Sequence, residues 1–215
     1  MEHITISNLN LIKNEVESKN SKVKIVAVTK TFPLDKIKPL INYGHLHYGE
    51  NKIQEAVNKW TEIKKNNKNL KLHFIGKLQT NKVKFALPLF DYIHSLDNLK
   101  LAEKISSFQS KVNFKPNIFV QVNIGEEKQK NGISINELNY FINECKNNLD
   151  LNIIGLMCIP PNDGNANEYF IKMKKINVEQ NLAELSIGMS SDYLIAVNNG
   201  ATFIRIGSKI FGERN

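Results

Sequence analysis

Lys30 follows the apolar run IVAV, where desolvation disfavours an ammonium and leaves a neutral amine able to attack an aldehyde. The plainer account is a surface lysine closing a strand, since lysine is abundant in this chain. In SIGMSSDY, Ser190 and Ser191 bring two hydroxyls and several backbone N–H groups to a helix start, an arrangement that binds phosphate. Ser-Ser-Asp before a helix is also an ordinary N-cap, so both readings stay open. FIRIGSKIFG adds Gly207, where backbone can approach a ligand closely, with Ser208 beside it. Of 29 basic residues only Arg205 and Arg214 are arginine, so Arg205 is expected where a planar fork of donors is needed. His3, His45, His47, His73 and His94 show no metal-ligand spacing and are expected to be packing or surface residues, with His73 lining the interior. No metal site is expected. GxGxxG, Walker A and GxSxG patterns do not occur, which removes the usual sequence support for dinucleotide, nucleotide-triphosphate and serine-hydrolase chemistry.

These residues need elements to position them. Short β-prone runs alternate with longer amphipathic stretches: KIVAVTK (24–30), HLHYGEN (45–51), LKLHFIG (70–76), DYIHSLD (91–97), NIFVQVNI (117–124), LNIIGLMCI (151–159), LSIGMS (185–190) and FIRIGS (203–208). Helix starts fall between them, at Pro33, at Ser134 and at Ser191-Asp192. Alternation of this kind implies parallel strands joined by helical crossovers. Eight units predict one (β/α)8 TIM-type barrel with short loops, an open doubly wound sheet being the alternative. Ile6, Leu9, Ile12 and Val16 predict an extra N-terminal helix over about 3–19 that covers one end of the fold. In such barrels reactive groups sit at the C-terminal strand ends, and the loops after strands seven and eight often hold phosphate.

The 215 residues with 41% hydrophobic content suit a single domain, 1–215. A formal charge of +8 raises nucleic-acid binding, but the lysines are scattered over helical stretches without interleaved aromatics, so solvated helix faces are expected instead. No run approaches a membrane span and the start lacks signal-peptide order. Two cysteines, Cys145 and Cys158, form no disulfide framework. A soluble, cytoplasmic protein is expected.

Taken together, AVTKTFP, HYGENKIQEA, HFIGKLQTNK, HSLD, VNIGEEKQKNGI, GLMCIPP, SIGMSSDY and TFIRIGSKIFGER closely resemble the pyridoxal phosphate homeostasis protein family, in order from about residue 23 to Arg214. The resemblance implies a barrel similar to the N-terminal domain of alanine racemase, with pyridoxal 5′-phosphate (PLP) held as a Schiff base on Lys30. It further implies that Ser190, Ser191, Arg205, Gly207 and Ser208 surround the phosphate and the pyridine ring, with Asn51 as a side-wall contact. Two positions depart from the family pattern. Leu72 replaces a frequent Trp, which puts packing beside the ring in question, and Leu194 replaces a frequent acidic residue, read as a surface change.

What the resemblance implies is a cofactor-binding protein of PLP homeostasis without substantial turnover. Arg205, a permanent cation facing the ring nitrogen, would oppose protonation there and weaken the electron sink that amino-acid chemistry needs. Alanine racemase carries a similar arrangement and catalyses, but with a second, β-rich domain supplying an opposing residue. The sequence ends at Asn215, after the eighth strand motif, so no such domain is expected. A PLP-dependent racemase or related enzyme is the alternative. PLP-dependent enzymes are the expected transient recipients, nucleic acid and membrane are not expected partners, and a monomer is expected.

Overall fold

The computed structural model describes residues 2–127 and 129–213. Arg214, counted above among the motif residues, lies outside them. Eight parallel strands close in sequence order into a barrel, β8 pairing with β1. They are β1 (Lys24–Val28), β2 (His47–Glu50), β3 (Lys71–Phe74), β4 (Tyr92–Leu96), β5 (Asn117–Gln121), β6 (Ile153–Met157), β7 (Glu184–Ser186) and β8 (Phe203–Ile206). Each falls within its expected segment except β7, which begins one residue early.

The crossovers carry α2 (Leu34–Asn42), α3 (Ile53–Asn66), α4 (Val83–Ala86), α5 (Leu99–Val112), α6 (Ile135–Asn143), α7 (Ala166–Glu179) and α8 (Tyr193–Asn198), with α9 (Ser208–Phe211) after β8. Their ends follow local chemistry. The Asn98 side chain accepts from Leu101 N at 2.9 Å to start α5, and Asn113 ends it in the left-handed conformation at φ 48°. Pro33 precedes α2 as its N-cap, with Asp35 in the first turn to complement the helix dipole. Asp192 is the N-cap of α8 but makes no side-chain capping bond to the helix. Its Oδ1 instead accepts from Met189 N at 2.6 Å, bracing the loop that holds Ser190 and Ser191.

The N-terminal helix, α1 (Ile4–Glu17), buries Leu9, Ile12 and Val16 on one stripe. It is only in part the end cover expected. Most of it packs on α2, α8 and α9 in the outer layer, while Lys13, Val16 and Glu17 line one groove with His45 and His47 near the N-terminal strand ends.

Two apolar clusters divide the core. The larger lies between strands and helices, and the smaller, Val26, Phe119, Met157 and Phe203, fills the barrel interior. Leu72 is fully buried in the larger cluster, so its departure from the family pattern falls behind the strand and not at the ligand cavity. Leu194 is half-buried and packs against the same cluster, which corrects its reading as a surface change: an acidic side chain there would be partly desolvated.

Candidate functional site

A cavity of about 380 Å³ opens at the C-terminal strand ends, within the range of small-ligand sites. All seven residues expected from the sequence, Lys30, Asn51, Ser190, Ser191, Arg205, Gly207 and Ser208, line it. Val28, Ile75, Gly76, Ile159 and Met189 complete the wall. Of the other strand-end residues, Lys77 donates to Asn131 at 2.8 Å on the surface, and Glu50 is buried outside the cavity lining.

Lys30 reaches the cavity from the turn after β1, where the last four strand residues are buried. Asn51 follows β2 and sits tight against Gly76: a Cβ on Gly76 would come within 2.2 Å of Asn51 O. Glycine is therefore required there by backbone approach. Asn51 Oδ1 is buried without a partner among the described residues, an uncompensated cost that a polar ligand group on this wall would offset. Gly207 differs. A Cβ there would meet Val28 Cβ at 3.5 Å, ordinary contact, so the protein's own packing does not demand glycine.

The two loops expected for phosphate adjoin. Gly207 N–H donates to Ser190 Oγ at 3.3 Å, which leaves the Ser190 hydroxyl proton to donate elsewhere. Ser191 and Ser208 are exposed at the cavity rim. These groups supply hydroxyl and N–H donors and no carboxylate, the donor chemistry that a phosphate requires.

Arg205 is nearly fully buried. Its Nη1 donates to Ser186 O at 2.8 Å and to Ser186 Oγ at 2.7 Å, and its Nη2 donates to Cys158 O at 2.9 Å. These bonds fix the plane of the guanidinium while the residue lines the cavity. Burial pulls its pKa below the usual value, an effect that Cys158 and Asp192 offset in part. It makes no ion pair among the described residues, so its charge is balanced by carbonyl and hydroxyl dipoles and remains available to an electron-rich ligand group.

Behind Arg205 runs a buried chain that the sequence did not disclose. Ser186 Oγ lies 2.9 Å from His94 Nδ1, His94 Nε2 lies 2.9 Å from His73 Nδ1, and His73 Nε2 lies 2.9 Å from His47 Nδ1. His73 stacks on Tyr92 at 4.2 Å and His94 on Phe119 at 4.3 Å between ring centroids. Burial, with neighbouring positive groups, holds His73 and His94 well below the ordinary imidazole pKa. Burial likewise lowers His47, with Lys24 and Lys71 adding to it, to about 4. His73 lines the interior as expected.

Comparison with known proteins fits this geometry. The alanine racemase N-terminal domain family matches residues 5–215. A pyridoxal phosphate homeostasis protein of Aquifex aeolicus is 36% identical over 89% of this chain and 87% of its own. PipY of Synechococcus elongatus, solved without and with PLP bound, superposes with TM-scores of 0.89 and 0.87 at 32% and 31% identity, over 98% of this chain and 100% of that one. Alanine racemase of Clostridium difficile shares the fold, with a TM-score of 0.77 at 17% identity over 98% of this chain and 57% of its own. On the sequence match and the shared barrel, this chain belongs to the pyridoxal phosphate homeostasis protein family, within the alanine racemase N-terminal domain class.

Proposed function

We propose that this protein binds PLP in the cavity at the C-terminal end of the barrel, covalently through Lys30, and serves homeostasis of the cofactor without substantial catalytic turnover. The observation that carries the reading is the meeting of one amine, one buried guanidinium and two hydroxyl-bearing loops on a single cavity, in a chain of this family. When bound, PLP supplies an aldehyde that condenses with a primary amine, and a phosphate dianion. Lys30 provides the amine. Ser190, Ser191 and Ser208 hold the phosphate through hydroxyl and N–H donors, and Arg205 donates toward the pyridine nitrogen. Asn51 bounds the side wall, and Gly207 leaves room for the ring or phosphate beside it.

An enzyme acting on amino acids must also move the α-proton with placed acids and bases. Among the described residues lining the cavity, Lys30 and Arg205 are the only acid–base side chains, and Arg205 stays protonated. That favours storage and delivery over racemisation, with PLP-dependent enzymes as transient recipients. Among the described residues no helix is long and apolar enough to cross a membrane. We take the working form to be a cytoplasmic monomer whose residues 1–215 form one domain.

Borohydride reduction of PLP-loaded protein should fix one pyridoxyl group, on the peptide bearing Lys30, and Lys30→Ala should abolish the label and the absorbance of the bound cofactor. Label at Lys77 or Lys209 in its place would refute the assignment. Deuterium exchange at the α-carbon of added amino acids at an enzyme-like rate, above ~1 per second, would replace this reading with the racemase alternative.

A further inference from the structure

Lys30 lies between two threonines that helix α3 holds from outside the cavity. Thr29 O accepts from Lys59 Nζ at 2.9 Å, and the Thr29 hydroxyl donates to Glu50 Oε1 at 2.7 Å. On the other side, Thr31 N–H donates to Glu55 Oε1 at 2.7 Å. Lys59 joins the two halves: its Nζ also donates to Glu50 Oε1 and to Glu55 Oε1, each at 2.9 Å. With Thr29 O, those acceptors use every N–H of the ammonium. The Lys59 side chain is 9% exposed and that of Glu50 0%, so this half of the cluster is shielded from water, while Glu55, at 26%, and Thr31 form its solvent-facing edge. Burial works against ionisation of Glu55, but the bonds from Lys59 and Thr31 outweigh it and keep its carboxyl below the ordinary pKa.

Thr31 has φ 67°, in the left-handed region that a β-branched residue enters only under constraint. A turn that merely joined β1 to α2 could place glycine there without strain. The chain uses threonine and grips the peptide units on both sides of the reactive lysine. We propose that Lys59 and Glu55 are positioning residues for Lys30, fixing the backbone at Thr29 and Thr31 so that the amine is presented to the cavity before a ligand arrives. The proposal rests on the PLP reading above. Preorganisation of this kind removes part of the ordering cost from the capture step. Capture joins the Lys30 nitrogen to the aldehyde carbon and expels the aldehyde oxygen as water, so no redox partner is consumed.

The test separates capture from cavity binding. Capture is followed by stopped-flow absorbance, with brief borohydride quenching and mass spectrometry to locate the label, and is scaled to the folded fraction by circular dichroism. Non-covalent binding is measured with pyridoxine 5′-phosphate, which carries an alcohol in place of the aldehyde. Glu55→Ala should slow capture at Lys30 roughly tenfold or more while leaving affinity for the alcohol analogue within about twofold. Glu55→Gln keeps an acceptor for Thr31 N–H and should capture at the wild-type rate. Lys59→Met, which preserves the stem and removes the donors, should slow capture further. Wild-type capture by Glu55→Ala, or a matching loss of analogue affinity, overturns the proposal, because the cluster would then be idle or merely structural. Label absent from Lys30 in the wild-type protein overturns the PLP reading itself, a separate and visible outcome.

Discussion

At Ser190, one hydroxyl faces two tasks: it accepts from Gly207 N–H and keeps its own proton for the cavity. Charge-assisted bonds of this type contribute ~1.5–3 kcal/mol each, so Ser190→Ala and Ser208→Ala should each weaken cofactor retention roughly ten- to hundredfold. Gly207 supplies the sharper case, since its Cβ would make only ordinary contact with Val28. Gly207→Leu should therefore fold with little change in melting temperature yet lose the cofactor more severely than either serine variant. Equilibrium dialysis against PLP, paired with thermal melts, reads both quantities. Retention unchanged in all three variants would put the phosphate elsewhere. That these residues line one cavity was legible because SIGMSSDY and FIRIGSKIFG end strands seven and eight, where such barrels gather their ligand-facing loops. Thr31 was not, since TKTFP contains no glycine to announce a positive φ. The constraint lies in Glu55, which only the packing of α3 against β2 brings to that turn.

Among the elements, β2, β3, β4, β7 and β8 each place one polar side chain in the buried chain from His47 to Arg205. Arg205 can only donate, so Ser186 Oγ accepts from it, and among the described residues His94 Nδ1 is the one further partner of that hydroxyl and hence the acceptor for its proton. With the proton placed there, His94 donates from Nε2 to His73 and His73 from Nε2 to His47. This direction predicts neutral Nε2–H tautomers for all three imidazoles. Nitrogen-15 NMR at neutral pH should find each of them with a protonated Nε2 and a bare Nδ1, while Ser186→Ala should release the constraint and give mixed tautomers. One Nδ1–H form among the three in the wild-type protein would break the chain. Pattern reading found the eight strands because their β-prone runs alternate with helical stretches. It missed this network because strands buried on both faces lose the two-residue alternation that tells inside from outside. HLHYGEN, LKLHFIG and DYIHSLD each hold a histidine, and only the barrel's register aligns His47, His73 and His94 on one interior path.

For the whole molecule, neutral histidines inside the barrel, with His45 beside it under α1, tie stability to pH. His45 and His47 are lowered to about 4, both chiefly by burial, and His73 and His94 lie well below the ordinary value. In the unfolded chain imidazole titrates near ~6.5. Between those values the unfolded state binds protons that the native state refuses, so stability is complete above the unfolded pKa and falls as pH drops through the window toward 4. Each histidine involved contributes a slope of up to about 1.4 kcal/mol per pH unit. Urea unfolding midpoints should stay level from pH 8 to about 7 and decline steadily from about 6 to 4.5. Acid also adds to a chain already at +8, and self-repulsion would produce a decline of the same sign. Salt separates the two causes: repulsion among exposed charges is screened within about 8 Å at ~0.15 M ionic strength, whereas the cost of charging a buried imidazole is not. The decline should persist in high salt and become shallower in His47→Gln, which removes a titrating group at the chain's solvent-facing end. A midpoint independent of pH between 7 and 5, or a decline abolished by salt, would mean that the interior histidines charge without cost and that the barrel is wetter than its packing implies.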